Sequence, residues 1–230
     1  MLTKKEFAAK MDHSCLGTHV PQKEVEKFCR EAIDYGFAAV YVNPHDVPLA
    51  SRLLKGTAVK VGTVVGFPQG TASTKVKIFE ALDSIENGAD ELDLVLNVSR
   101  LKDGDVDYVR AELNDFVSAV KARSADVLVK VIIECHYLTH SEKIIATNLV
   151  AESGADYVKQ ATGTTPNWSF TLGDVKLLAV TAAGRCKVKS SGWIMNIEDA
   201  IGSIEFGAER VGNSLAIQWL EEFDENVWYQ

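Results

Sequence analysis

Positive charge is scarce in this chain of 230 residues. It carries 24 Lys and Arg against 32 Asp and Glu, a formal net charge of −8 with a sequence pI near 5.2. Nucleic acid as the main partner is therefore excluded, because phosphate backbones select basic surfaces. Cysteine is scarce too. Cys15, Cys29, Cys135 and Cys186 are scattered and form no C-x-x-C pair, which argues against a disulfide framework and for a reduced, cytoplasmic setting. No run of about 18 apolar residues occurs, so no membrane span is expected. The opening stretch, MLTKKEFAAK, lacks the apolar core of a secretion signal. Several signatures of chemistry are also missing: no G-x-G-x-x-G, no Walker loop, no G-x-S-x-G elbow and no helical H-E-x-x-H. Composition is otherwise ordinary, at 47% hydrophobic and 24% charged. A chain this long buries roughly 70% of its unfolded surface and needs no metal or disulfide to fold.

What is present is a strand-then-helix rhythm. Apolar segments rich in Val, Ile and Leu recur at Ala38–Val42, Lys60–Val65, Glu91–Leu96 and Leu128–Ile133, and counting further candidates at Asp12–Leu16, Tyr157–Gln160, Cys186–Lys189 and Arg210–Gly212 gives eight strands. Most run continuously rather than alternating, as parallel strands buried on both faces do. Between them lie amphipathic stretches of helical length: Gln22–Tyr35, Lys75–Asn87, Ser141–Ser153 and Asn196–Phe206, each followed closely by glycine. Three of the junctions read almost alike, NGADELDLV, SGADYVKQA and FGAERVGNS, a weak internal repeat of the kind βα units generate. Eight units of about 29 residues each match the size of one βα repeat. The pattern predicts an α/β protein with one domain over residues 1–230, a (β/α)8 TIM barrel. The competing fold is a doubly wound open sheet, which usually has fewer strands and a Gly-rich first turn.

In such a barrel, function sits at the C-terminal ends of the strands. Polar residues stand there where apolar ones would be expected: Asp93 in ELDLVLN, Lys130 in LVKVIIE, Lys159 in DYVKQATG and Lys189 in CKVKSSG. A lone lysine near a strand end commonly snorkels to solvent. Two on neighbouring strands repel each other, and burial and repulsion both depress an ammonium pKa. A lysine neutral near pH 7 attacks carbonyls and forms a Schiff base, and a second lysine with an aspartate can move the protons. Thr162-Gly163-Thr164-Thr165, Ser190-Ser191-Gly192 and Gly212-Asn213-Ser214 offer N–H and hydroxyl donors of the kind that hold anions, although such turns are common. Glu134, His136 and His140 follow the fifth strand in ECHYLTH; they lie in a loop rather than on one helix face, which disfavours a metal site.

These stretches resemble the deoxyribose-phosphate aldolases, class I Schiff-base aldolases of (β/α)8 fold. The resemblance runs from Met11 to Ser214 through MDHSCL, YGFAAVYVNP, VGFPQGTASTKVKIFEA, NGADELDLVLN, VKVIIE, SGADYVKQATG, VKSSG and ERVGNS. It implies reversible cleavage of 2-deoxy-D-ribose 5-phosphate to acetaldehyde and D-glyceraldehyde 3-phosphate, with no metal or organic cofactor. Lys159 takes the place of the Schiff-base lysine, Lys189 that of the second lysine and Asp93 that of the proton-relay aspartate. Asp12, Thr162, Gly163, Gly192 and Ser214 match substrate and phosphate positions, and Lys130, Ser191 and Gly212 are grouped with them. Partners are small aldehydes and sugar phosphates, with no nucleic acid and no membrane, and a homo-oligomer is compatible with the chain.

The departures concentrate at one end of the expected site. The family usually reads A-S-G-G-I-R after the second lysine. Here the residues are Ser190-Ser191-Gly192-Trp193-Ile194-Met195. Leu215 follows Ser214 where a second serine is common, and Tyr41 stands where a cysteine is common. The aldol machinery is complete while the phosphate cradle has lost donors. The alternatives are an aldolase of the same fold with altered, non-phosphorylated acceptors, and a non-catalytic sugar-phosphate-binding barrel. The aromatic segment Phe223–Gln230 is expected to pack on a partner subunit, to fold back over the barrel mouth or to stay loosely ordered.

Overall fold

A computed structural model describes residues 2–165 and 170–224. Eight strands alternate with helices in chain order. They are α1 (Lys4–Ala8), β1 (Met11–Cys15), α2 (Gln22–Tyr35), β2 (Ala39–Val42), α3 (Val47–Leu54), β3 (Lys60–Val65), α4 (Thr74–Glu86) and β4 (Glu91–Val95). Then follow α5 (Val98–Lys102), α6 (Val106–Arg123), β5 (Leu128–Ile132), α7 (His140–Glu152), β6 (Tyr157–Lys159), α8 (Leu172–Ala182), β7 (Lys187–Ser191), α9 (Ile197–Glu205), β8 (Ala208–Asn213) and α10 (Ala216–Glu222). The strands close in sequence order, β1 to β8 and back to β1, all parallel. The eight expected strands are all present, and the open sheet is ruled out by the β1–β8 pairing.

Local chemistry sets the boundaries. Helix α2 stops at Gly36, which takes φ 73° and donates its N–H to Ala32 O; a residue with a Cβ would be strained there. Helix α7 starts with a capping box, Thr139 accepting from the Glu142 N–H while the Glu142 side chain accepts from Thr139 N–H. Between barrel and helices lies a shell of buried Val, Leu and Ile from both layers. One connection is braced by buried charge, another by stacked rings. Lys77 of α4 pairs with Glu112 of α6 at 2.9 Å and donates to Val95 O at 3.0 Å, tying the helix layer to the mouth end of β4. Phe223, just past α10, stacks on Phe7 of α1 with ring centroids 5.1 Å apart. Since α1 leads into β1, this contact lies at the end of the barrel opposite the mouth. Trp228 and Tyr229 of the aromatic segment fall outside the described residues.

Candidate active site

Strand register brings the polar residues into rows. Asp93 pairs with Lys130 and Lys130 with Tyr157; Lys159 pairs with Lys189 and Lys189 with Arg210; Tyr41 pairs with Gly62 and Gly62 with Glu91. Side chains two apart on a strand share a face, so Glu91 and Asp93 both point into the barrel.

At the centre is Asp93. Its Oδ2 accepts from Lys159 Nζ at 2.7 Å and from Lys189 Nζ at 2.9 Å. Lys189 also lies 2.7 Å from Asp12 Oδ2, and Arg210 bridges Asp12 and Glu91, the latter at 3.0 Å. Lys130 is bonded to Glu91 and Tyr41, and stands 3.8 Å from both Asp12 and Asp93. Asp12, Asp93, Lys130 and Lys189 are all fully buried. The cluster therefore sets four basic groups (Lys130, Lys159, Lys189, Arg210) against three carboxylates (Asp12, Glu91, Asp93). Buried charge is tolerated when it is compensated, and compensation is complete only when one base is neutral.

Lys159 is the lysine of the cluster whose proton is loosened. Burial, reinforced by the Lys189 charge, lowers its pKa to about 8, with Asp93 pulling the other way. Lys130 goes in the opposite direction: burial disfavours its charge, but Asp12, Glu91 and Asp93 outweigh that and hold the ammonium firmly protonated. Asp93 remains ionised, since Lys159, Lys189 and Lys130 overcome the burial that would raise its pKa. Asp12 is likewise held below the usual range against burial, by Lys189, Lys130 and Arg210.

Tyr41 supports this cluster from below. Its hydroxyl donates to Glu91 Oε2 at 2.9 Å, and its ring centroid lies 3.6 Å from Lys189 Nζ, a cation–π contact. Burial, then the neighbouring carboxylates, keep the phenol protonated. Gly62 makes room for the ring, because a Cβ there would sit 2.5 Å from Tyr41 Cζ. Gly212 does the same for Lys189, whose Cε would be 2.9 Å from a Cβ.

Above the cluster a pocket of about 270 Å³ opens at the C-terminal ends of the strands. Lys159, Thr162, Gly163, Ser191, Gly192, Gly212 and Ser214 line it, together with Ser14, Leu16, Gly17, Phe67, Thr164, Trp193 and Asn213. Asp12, Asp93, Lys130 and Lys189 do not reach its surface. Asp12 and Lys130, expected at the substrate, lie in the charged layer beneath the floor. The β6 loop is braced by Glu134, which adopts φ 54°. Its carboxylate takes the Thr162 N–H and the Thr165 hydroxyl, the latter at 3.0 Å. His136 and His140 join no metal-ligand cluster among the described residues.

Trp193 also has positive φ, 52°, a conformation that costs a bulky residue about 1–3 kcal/mol. Its indole N–H donates to Thr165 O at 3.1 Å, linking the loops after β6 and β7. Sequence reasoning missed Glu91 and Arg210 as members of the cluster and Glu134 as the loop brace. Glu91 was within reach, being two residues before Asp93 on the same strand face.

A proton-poised lysine clamped to a carboxylate and a second lysine, at the mouth of a parallel eight-stranded barrel, defines an aldolase barrel. The chain belongs to the DeoC/LacD family of aldolases, whose family model matches residues 6–210. A protein of Thermoanaerobacter pseudethanolicus named deoxyribose-phosphate aldolase is 47% identical over 218 residues, covering 95% of this chain and 97% of its own. A Clostridium perfringens protein of the same name is 43% identical over 216 residues, covering 94% and 95%. Among solved structures, QR15, described as an aldolase, matches with TM-score 0.87 and 39% identity over 95% of this chain and 96% of that one. The deoxyribose phosphate aldolase of Aeropyrum pernix, described as tetrameric, matches with TM-score 0.88 and 31% identity over 98% and 94%.

Proposed function

We propose that this chain cleaves 2-deoxy-D-ribose 5-phosphate reversibly to acetaldehyde and D-glyceraldehyde 3-phosphate through a lysine Schiff base on Lys159. The observation that carries the reading is the Lys159–Asp93–Lys189 contact directly under an open pocket, with Lys159 brought to about 8. Neutral Lys159 adds to the substrate carbonyl to give a carbinolamine and, with loss of water, an iminium. As the C3 hydroxyl gives up its proton, the C2–C3 bond breaks, its electrons pass to the iminium and D-glyceraldehyde 3-phosphate leaves as the aldehyde; the remaining enamine is protonated on carbon and hydrolysed to acetaldehyde, restoring the Lys159 amine. Lys189, its Nζ over the Tyr41 ring, adds to the burial that lowers the Lys159 pKa and so raises the share of free amine. Asp93, in reach of both lysines, relays protons. Asp12 and Lys130 act as positioning residues that fix Lys189 and Asp93. Thr162, Gly163, Ser191, Gly192, Gly212 and Ser214 meet the sugar and its phosphate through hydroxyl and backbone N–H groups.

This role suits a cytoplasmic enzyme with small-molecule partners and no metal or organic cofactor. Assembly into a homo-oligomer is supported by the tetrameric Aeropyrum pernix relative. The test is acetaldehyde release from 2-deoxyribose 5-phosphate, followed with a coupled dehydrogenase. Release that disappears in Lys159→Leu supports the reading. No release by the intact protein, or undiminished release by the variant, would overturn it. A binding barrel without catalysis would need none of the lysine pair.

A further inference from the structure

The stretch 160–165 that follows β6 is a wall between two cavities. Thr162 and Gly163 face the reaction pocket, Thr165 faces a second cavity of about 740 Å³ on the outer side, and Thr164 lines both. A short wall with open space behind it has room to shift outward. Thr162 stands three residues beyond Lys159, so any shift alters what surrounds the reactive amine.

Glu134, just past β5, ties this wall down. Its chain neighbours are bonded to the root of the loop: the Ile133 N–H donates to Lys159 O at 3.0 Å and the Cys135 N–H to Gln160 O at 3.0 Å. Between them Glu134 takes φ 54°, and its side chain is only 4% exposed. One carboxylate oxygen accepts the Thr162 N–H and the other the Thr165 hydroxyl, the latter at 3.0 Å. The carboxylate therefore grips the wall at two points three residues apart. Hydrogen bonds to an ionised acceptor are roughly twice as strong as neutral ones. Left-handed backbone at a residue with a side chain is strain, and such strain gathers at functional sites. On the other flank the wall fits closely: a Cβ on Gly163 would lie 3.3 Å from Gly192 Cα.

We propose that Glu134 is a positioning residue for the reaction, its carboxylate holding Thr162 and Gly163 against the carbon bound to Lys159. The inference deepens the aldolase reading above and rests on it. Glu134 does not line the reaction pocket and acts through the loop. Without its grip the wall relaxes toward the outer cavity, and misplacement by about 1 Å costs up to about a hundredfold in rate. The Lys159 proton is governed from beneath, by burial, Asp93, Lys189 and Asp12, so its titration is left as it was.

The experiment measures kcat and KM for cleavage of 2-deoxyribose 5-phosphate, and the pH midpoint of borohydride trapping with acetaldehyde. The intact protein is compared with Glu134→Gly, Glu134→Gln and Thr165→Val. Glycine adopts positive φ without strain, so that variant tests the carboxylate alone. Glutamine still offers an oxygen to the Thr162 N–H and an amide to the Thr165 hydroxyl. The expected result is a kcat more than tenfold lower in Glu134→Gly, a kcat within fivefold of the intact protein in Glu134→Gln, and one trapping midpoint for all. A smaller fall in Glu134→Gly, a change in KM alone, a moved midpoint, or an equal loss in Glu134→Gln overturns the inference. If Glu134→Gly does not fold, Thr165→Val decides: it cuts one of the two ties and should lower kcat at least threefold, and an unchanged kcat overturns the inference. Trapping on Lys159 of the intact protein with kcat indifferent to Glu134 would sink this inference alone, whereas absence of trapping would sink the lysine chemistry itself.

Discussion

Replacing Lys189 with leucine removes a positive charge from the neighbourhood of Lys159 and should make the nucleophile harder to deprotonate. The two ammonium nitrogens meet the same Asp93 oxygen, at 2.7 and 2.9 Å, which keeps them close together. Two like charges about 5 Å apart at an effective dielectric of about 20 repel by roughly 3 kcal/mol, or about two pKa units. Lys159 starts at about 8. The sign is therefore upward: the free amine appears at higher pH once Lys189 is gone, and Asp12 and Asp93, relieved of one counter-charge, push further the same way. At pH 7 the neutral fraction, and with it the rate of iminium formation, should fall about a hundredfold and recover as pH is raised. The assay is the rate of borohydride-trapped acetaldehyde adduct against pH, which isolates amine addition from later proton transfers. Lys189→Arg keeps the charge and should keep the midpoint. A midpoint in Lys189→Leu that stays put or moves down would refute the claim that Lys189 lowers the Lys159 pKa.

Two other perturbations separate chemistry from architecture. Asp93→Asn removes the carboxylate that stabilises protonated Lys159, so the trapping midpoint should move to lower pH while steady-state cleavage falls by about 10²–10⁴-fold; equal losses in both would assign Asp93 a structural role only. Gly62→Ala should destabilise by about 1–3 kcal/mol through overlap with the Tyr41 ring, lowering Tm by several degrees. Adding Tyr41→Leu should restore part of the loss, and thermal unfolding with no Tm change in Gly62→Ala would show that the ring is not held there.

Much of this architecture was readable from residue order. The Val/Ile/Leu runs placed β2 to β5, because parallel strands buried on both faces leave an unbroken apolar signature, and the spacing of the βα repeat placed the other four. Their ends were less legible. Strand β7 runs on to Ser191 where hydropathy suggests a stop at Lys189. The serine hydroxyls there bond to Gln160, Ser203 and Ala161, so polar residues continue a buried strand. The lysine pair and Asp93 stood out as charges in apolar segments. Their partners did not: Arg210 meets Glu91 across 119 residues of sequence, a link only barrel closure makes. Tyr41 and Gly62 form a size-matched pair on adjacent strands, and neither residue alone hints at the other. The rim residue Trp193 was visible as bulk in a glycine-like position, but its anchoring to Thr165 depends on how two loops meet.

The central claim is that Lys159, and no other lysine of the buried cluster, carries the reaction. Reduction of the protein with borohydride in the presence of limiting acetaldehyde, followed by digestion and mass spectrometry, locates the resulting N-ethyl group by residue. Modification at Lys159, lost in Lys159→Leu, is expected. An adduct at Lys189 or Lys130, or one that persists in the cluster when Lys159 is replaced, would contradict it.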